Sequence, residues 1–209
     1  PLTDMDYSTL LLSNDILNRM YYRAERNNEP YWFEYLSDSK ILYIQYNRCE
    51  QNKNLAMDYF AEQVAEAIKS QPAEKLIVDL RRNGGGDSSV ISPLLKTISA
   101  SRLNAPGKLY VLVGTETFSS AILNTVDFAQ QTQALFAGSV PAGSPSHYGE
   151  VHRFNLPDSG VLIKYSSKHF VRAGYEQAEF IPDILIEPTY ADYASGRDVV
   201  MDYFLQAGN

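Results

Sequence analysis

Ser119 stands in Thr117-Phe118-Ser119-Ser120-Ala121, just past the apolar run Leu109 to Gly114, and Gly84-Gly85-Gly86 stands just past the apolar run Lys75 to Leu80. Together these residue types could cleave an acyl bond. Amide hydrolysis through a serine needs an exposed hydroxyl, a base within hydrogen-bond reach and two N–H donors aimed at the tetrahedral oxygen. A serine that opens a helix exposes its Oγ, and the N–H of Ser120 then points the same way. The helix dipole adds ~0.3–1 kcal/mol for developing negative charge when exposed. The aimed N–H groups matter more, since losing one such donor costs ~2.7–4 kcal/mol in subtilisin. Glycine in the other turn lets backbone N–H groups face a ligand with no Cβ in the way.

Each feature also has a plain structural reading. A serine at a helix start is ordinarily an N-cap, and a glycine triplet after a strand is ordinarily a tight turn or a phosphate loop. The phosphate reading is disfavoured because RRNGGGDSS lacks the Lys-Ser/Thr of a P-loop and the glycine spacing of a dinucleotide fingerprint. The serine segment also lacks the flanking glycines of the α/β-hydrolase elbow.

The elements that must hold these turns are legible in the hydrophobic pattern. Lys40 to Tyr46 and Lys75 to Leu80 predict strands, the second with the profile of a buried parallel strand. Residues 54–70 predict an amphipathic helix carrying Leu55, Phe60, Val64 and Ile68. Asp87, Ser88 and Ser89 offer N-cap chemistry for a helix to about Ser101. A strand over 109–114, a helix over 119–130 and a strand over 134–138 follow, so strand, turn and helix occur twice in succession. Residues 151–172 predict a hairpin turning at Pro157-Asp158-Ser159-Gly160. The ILIEP segment predicts a last strand and 191–206 a closing helix. Residues 1–39 are uncertain: Leu10 to Met20 could form a short helix, and an aromatic run of Tyr31, Trp32, Phe33 and Tyr35 follows.

With 209 residues, a single α/β domain over 1–209 is the expectation. Eighteen Lys and Arg against 25 Asp and Glu give a formal charge of −7, which disfavours nucleic acid or an anionic membrane as partner. The lone Cys49 cannot form an internal disulfide. No apolar stretch is long enough to span a bilayer. The first residue is Pro1, so a fragment that lacks an upstream domain is expected.

LIVDLRRNGGG, LYVLVGTETFSSAILN, ALFAGSVPAGSPSHYGEV, FNLPDSGVLIKYSSKHF and FIPDILIEP occur in the order seen in carboxyl-terminal-processing (tail-specific) serine peptidases and the tricorn core, and the chain resembles that family from about Lys40 to Leu205. The resemblance implies a Clp-protease/crotonase-like spiral of ββα units. It places the nucleophile on Ser119 and the oxyanion donors on Ser120 N–H and the glycine turn, where Gly85 matches best and Gly84 and Gly86 are close alternatives. It implies a peptide or unfolded protein tail as substrate, no cofactor or metal, and a cell-envelope or extracytoplasmic setting.

The base departs from the pattern. Where the Ser-Lys enzymes carry lysine, GSVPAGS carries Ser144, which cannot accept the nucleophile's proton at neutral pH. The tricorn-like branch uses Ser, His and Glu. Its glutamate corresponds to Glu176, with Glu179 as second choice, and its histidine comes from an upstream segment, which implies a base outside this chain or lost. Of His147, His152 and His169, His147 is the best base within the chain, because SPSHYGEV reads as a polar loop close to Ser144 and a free imidazole titrates near ~6.5. A metal site of His147, Glu150 and His152 is disfavoured, since on a strand these alternate faces. Two other readings stay open: a non-catalytic relative that binds peptides or partners, and a crotonase-like acyl-CoA enzyme that would not need Ser119.

Overall fold

Strand β2 (Ile41–Tyr46) is buried along its whole length, and this determines the architecture. A strand with both faces apolar needs a layer on each side. In the computed structural model, which describes residues 26, 28–172, 174–175 and 179–206, it receives both. Strand β1 (Tyr31–Leu36) precedes it, and helix α1 (Met57–Ser70), β3 (Lys75–Asp79), α2 (Ser92–Ser99), β4 (Leu109–Val113), α3 (Ser120–Gln131) and β5 (Leu135–Gly138) follow. A hairpin of β6 (His147–Asn155) and β7 (Leu162–Phe170) comes next, then β8 (Ile184–Leu185), α4 (Tyr190–Ser195) and α5 (Val199–Gln206).

The main sheet has the order β1-β2-β3-β4-β5-β8, with β1 antiparallel to β2 and every other pairing parallel. Because side chains alternate along a strand, Leu42, Ile44, Leu76, Val78, Val111 and Val113 pack with residues of α1, α2 and α3 such as Phe60, Leu94 and Ile122. Ile41, Tyr43, Ile77 and Leu112 enter a second cluster with Val200, Met201 and Phe204 of α5. The fold is thus α/β with a mostly parallel sheet, and the carboxyl ends of β3 and β4 lead into the two turns singled out above.

A buried ion cluster secures α5 to the sheet. Arg81 Nη2 lies 2.7 Å from Asp79 Oδ2, and its Nη1 lies 2.7 Å from Asp198 Oδ1. Asp198 Oδ1 also accepts from Met201 N at 3.0 Å, so the carboxylate that meets the arginine also caps the helix. Burial alone would pull the Arg81 guanidinium down, but the Asp198 and Asp79 carboxylates overcome it and hold it well above the usual arginine range.

The structure corrects several boundaries. The aromatic run over 31–36 is the antiparallel edge strand β1. The helix after the glycine turn begins only at Ser92, because Asp87 Oδ1 accepts from Ser89 N and Oγ at 2.9 and 2.7 Å and closes a local turn instead of capping the helix. The single closing helix is two helices, divided where Gly196 adopts φ 70° and caps α4. The ILIEP strand shortens to two residues. The hairpin begins at His147, earlier than residue 151, so this histidine lies on a strand and not in a loop. The Leu10 to Met20 helix lies outside the described residues. Among the described residues no helix is long and apolar enough to cross a membrane.

Candidate active site

The glycine turn and the TFSSA segment meet. A Cβ placed on Gly85 would lie 2.8 Å from Ser119 Cβ and 3.0 Å from both Phe118 O and Ser120 N. Only glycine permits that approach. Gly85 also has φ 107° and Gly86 φ 134°, backbone that side chains rarely adopt. The contact is locked by Ser120 Oγ, which donates to Gly86 O at 2.5 Å, and by Phe118 N, which donates to Asn83 O at 3.0 Å.

Asn83, fully buried, organises the turn from within. Its Nδ2 donates to Tyr46 O at 2.9 Å, and its Oδ1 accepts from Gly85 N at 2.9 Å and from Cys49 Sγ at 3.5 Å. Cys49 N in turn donates to Gly85 O, and Asp87 N to Cys49 O, at 3.0 and 2.7 Å. On the other side Thr117 Oγ1 accepts from Gly114 N at 3.0 Å and donates to Leu80 O at 2.8 Å, tying the ends of β3 and β4 together. Buried Asn124 of α3 donates to Ser88 O at 2.9 Å. Sequence reasoning passed over Asn83, Thr117 and Asn124. An Asn two residues before a glycine is an Asx-turn signal, and Asn124, a polar side chain after the apolar Ala121-Ile122-Leu123 of α3, marked a buried bond to be satisfied.

Ser119 is the N-cap position of α3 but makes no capping bond with its side chain. Its backbone has φ 52° and ψ −123°, the shape that a II′ turn gives to glycine. A non-glycine residue held there is strained by ~1–3 kcal/mol, and such strain collects at functional sites. Half-buried rather than sealed in the core, Ser119 has an Oγ with no hydrogen bond among the described residues. The strand-turn-helix geometry of a nucleophile elbow is therefore present without flanking glycines in sequence. Gly85, from the neighbouring turn, supplies the missing space.

Of the glycine amides, that of Gly85 is committed to Asn83 Oδ1. The N–H of Gly86 has no acceptor among the described residues, and neither does that of Ser120. A cleft of about 390 Å³ opens beside the turn, lined by Asn47, Arg48, Arg82, Gly84, Gly85 and Glu116. Glu116 also borders a second cleft of about 380 Å³ near Gly114, Tyr193 and Asp198.

The loop after β5 closes the far side. A Cβ on Gly143 would lie 3.1 Å from the Phe118 ring, and His147 stacks on Phe118 with ring centroids 6.4 Å apart. Ser144 contributes its carbonyl, which lies 2.8 Å from His147 Nδ1. His152 bonds Ser167 Oγ and His169 stacks on Tyr148, both out on the hairpin. Glu179 is exposed, and Glu176 lies outside the described residues.

Residues 40–99, which carry β2, β3 and the glycine turn, match the model of peptidase family S41. The resemblance is to the S41 peptidases. Solved structures extend the likeness along the chain. A protein of Parabacteroides merdae ATCC 43184 described as a peptidase aligns with a TM-score of 0.66 at 14% identity, over 91% of this chain and 70% of its own. The photosystem II D1 C-terminal processing protease aligns with a TM-score of 0.51 at 17% identity, over 77% of this chain and 49% of its own. The tricorn protease aligns with a TM-score of 0.50 at 20% identity, over 82% of this chain and 18% of its own. The chain thus spans about half of the D1 processing protease and a smaller part of tricorn. At these identities the likeness is one of fold, the Clp-protease-like fold that these peptidases have. No curated protein matches the chain by sequence.

Proposed function

We propose that this chain is the core of a serine peptidase in which Ser119 attacks the carbonyl carbon of an extended peptide or unfolded protein tail. The observation that carries the reading is the contact of the two turns: a strained, half-buried serine with an unengaged hydroxyl stands directly against a glycine bend. The N–H groups of Ser120 and Gly86 are the pair best suited to receive the carbonyl oxygen as it gains charge. Gly85 serves by having no side chain, because its own amide is already bonded. The N-terminus of α3 adds its dipole at the same point.

The chemistry follows from that placement. The serine oxygen adds to the carbonyl carbon, the oxygen takes the π electrons and two amides hold it in a site whose geometry is set before substrate arrives. Collapse expels the amine and leaves an ester on Ser119, which water hydrolyses. The cleft lined by Gly84, Gly85 and Glu116 offers room for chain beside the glycine turn. Under this reading, incubation with an unfolded, fluorescently labelled polypeptide releases fragments, and Ser119→Ala abolishes release without changing the thermal melt. Equal fragment release by Ser119→Ala would refute the reading.

A further inference from the structure

We propose that His147 is the general base for Ser119, an inference that rests on the serine-peptidase reading above. A base must present an unshared nitrogen lone pair, fixed in orientation, beside the nucleophile. The Ser144 carbonyl can only accept a hydrogen bond, so the 2.8 Å contact places the proton on Nδ1 and leaves Nε2 as the acceptor nitrogen. The ring is held between Phe118, at 6.4 Å and an interplanar angle of 27°, and Phe170, at 6.0 Å and 34°. Phe118 is the residue immediately before Ser119. Gly149 makes the clamp possible, because a Cβ there would lie 2.9 Å from the Phe170 ring.

Tautomer, orientation and neighbourhood are thus supplied by three elements: the loop after β5, the base of the β6–β7 hairpin and the turn before α3. Ser144 occupies the position where the resembling Ser-Lys enzymes hold their base. Here it offers a carbonyl, and the imidazole three residues later takes up the proton. No hydrogen bond joins His147 to Ser119 in this structure, and such bonds commonly tighten only when substrate is bound. Near the residues that pack on the ring, Lys168 Nζ lies 4.8 Å from the Phe170 ring centroid, and Arg172, whose N donates to Ser146 Oγ, pairs with Asp127 at 3.8 Å.

As Oγ bonds to the carbonyl carbon, the Ser119 proton passes to Nε2 and the π pair moves to the carbonyl oxygen. On collapse the C–N bond breaks, and the amine leaves with the proton from Nε2. Water then adds to the ester carbon while Nε2 takes its proton, and the C–Oγ bond breaks as that proton returns to Ser119.

The test is the rate of covalent labelling by a fluorophosphonate, measured on the full chain from pH 5 to 9. Wild type is expected to label faster as pH rises, and His147→Gln to lose that dependence. His147→Gln is expected to label about 10²–10⁴-fold more slowly. In His147→Ala, added imidazole is expected to restore part of the rate, which a merely structural role would not allow. A pH-independent wild-type rate overturns the proposal even if the variants fail to fold. Wild-type labelling by His147→Gln also overturns it, while leaving Ser119 as nucleophile. Absence of any labelling at Ser119 in wild type overturns both readings.

Discussion

Ser119 adopts a backbone shape that serine resists, and the surrounding hydrogen bonds hold it there. Phe118 N and Ser120 Oγ are both bonded to the glycine turn, and Ser119 O accepts from Ile122 N and Leu123 N at 3.1 and 3.3 Å. Replacing Ser119 by glycine removes the hydroxyl and the strain together. Ser119→Gly is therefore expected to be more stable than Ser119→Ala by about 1–3 kcal/mol in urea melts, whereas at an unstrained helix N-cap the two would differ by only a few tenths. Cys49, beneath the same turn, gives a second handle. Burial pushes its thiol up to about 11 from 9.0, against the lowering effect of its Asn83 bond. Between those values the folded chain keeps the proton and the unfolded chain loses it, so stability falls as pH rises through the window. The expected loss is on the order of 2–3 kcal/mol between pH 9 and 11, and Cys49→Ala should flatten that slope.

At the scale of elements, Thr117 ties the ends of β3 and β4 together, and Arg81 anchors the end of β3 to the start of α5 on the opposite face of the sheet. It follows β3 directly, pairs with Asp79 and reaches Asp198 at the start of α5, while Tyr43 of β2 donates to Asp79 at 2.7 Å. Arg81→Met leaves two carboxylates without their cation in a buried place. It is expected to lower stability by about 3–5 kcal/mol, read from urea unfolding. Much of the element order was legible, because buried parallel strands and amphipathic helices differ in hydrophobic period. What was not legible followed from local turns and caps and from strand pairing. The early cap residues Asp87 and Ser89 bond each other, Gly196 interrupts a pattern that periodicity alone would continue, and the aromatic run at 31–36 holds strand-forming residues that lack clean alternation and find their pairing in β2.

Across the whole molecule, the chain brings together residues distant in sequence: Gly85 and Ser119, in two separate turns, meet, and His147, the first residue of β6, stacks on Phe118 next to Ser119. Residue types and order, with the family resemblance, singled out all three, but the serine's strain, the engagement of the Gly85 amide and the tautomer imposed by Ser144 depend on coordinates. The β6–β7 hairpin extends away from this end with most of its residues exposed. The formal charge of −7 remains a reason to look for polypeptide rather than nucleic acid as the ligand. The central claim is that a serine hydroxyl and a pair of backbone amides converge on one carbonyl. Mass spectrometry of the intact chain and its peptides after fluorophosphonate treatment tests this most directly. One adduct per chain, on the peptide containing Ser119 and lost in Ser119→Ala, is the predicted result. An unmodified chain, or an adduct elsewhere that persists in Ser119→Ala, would contradict it.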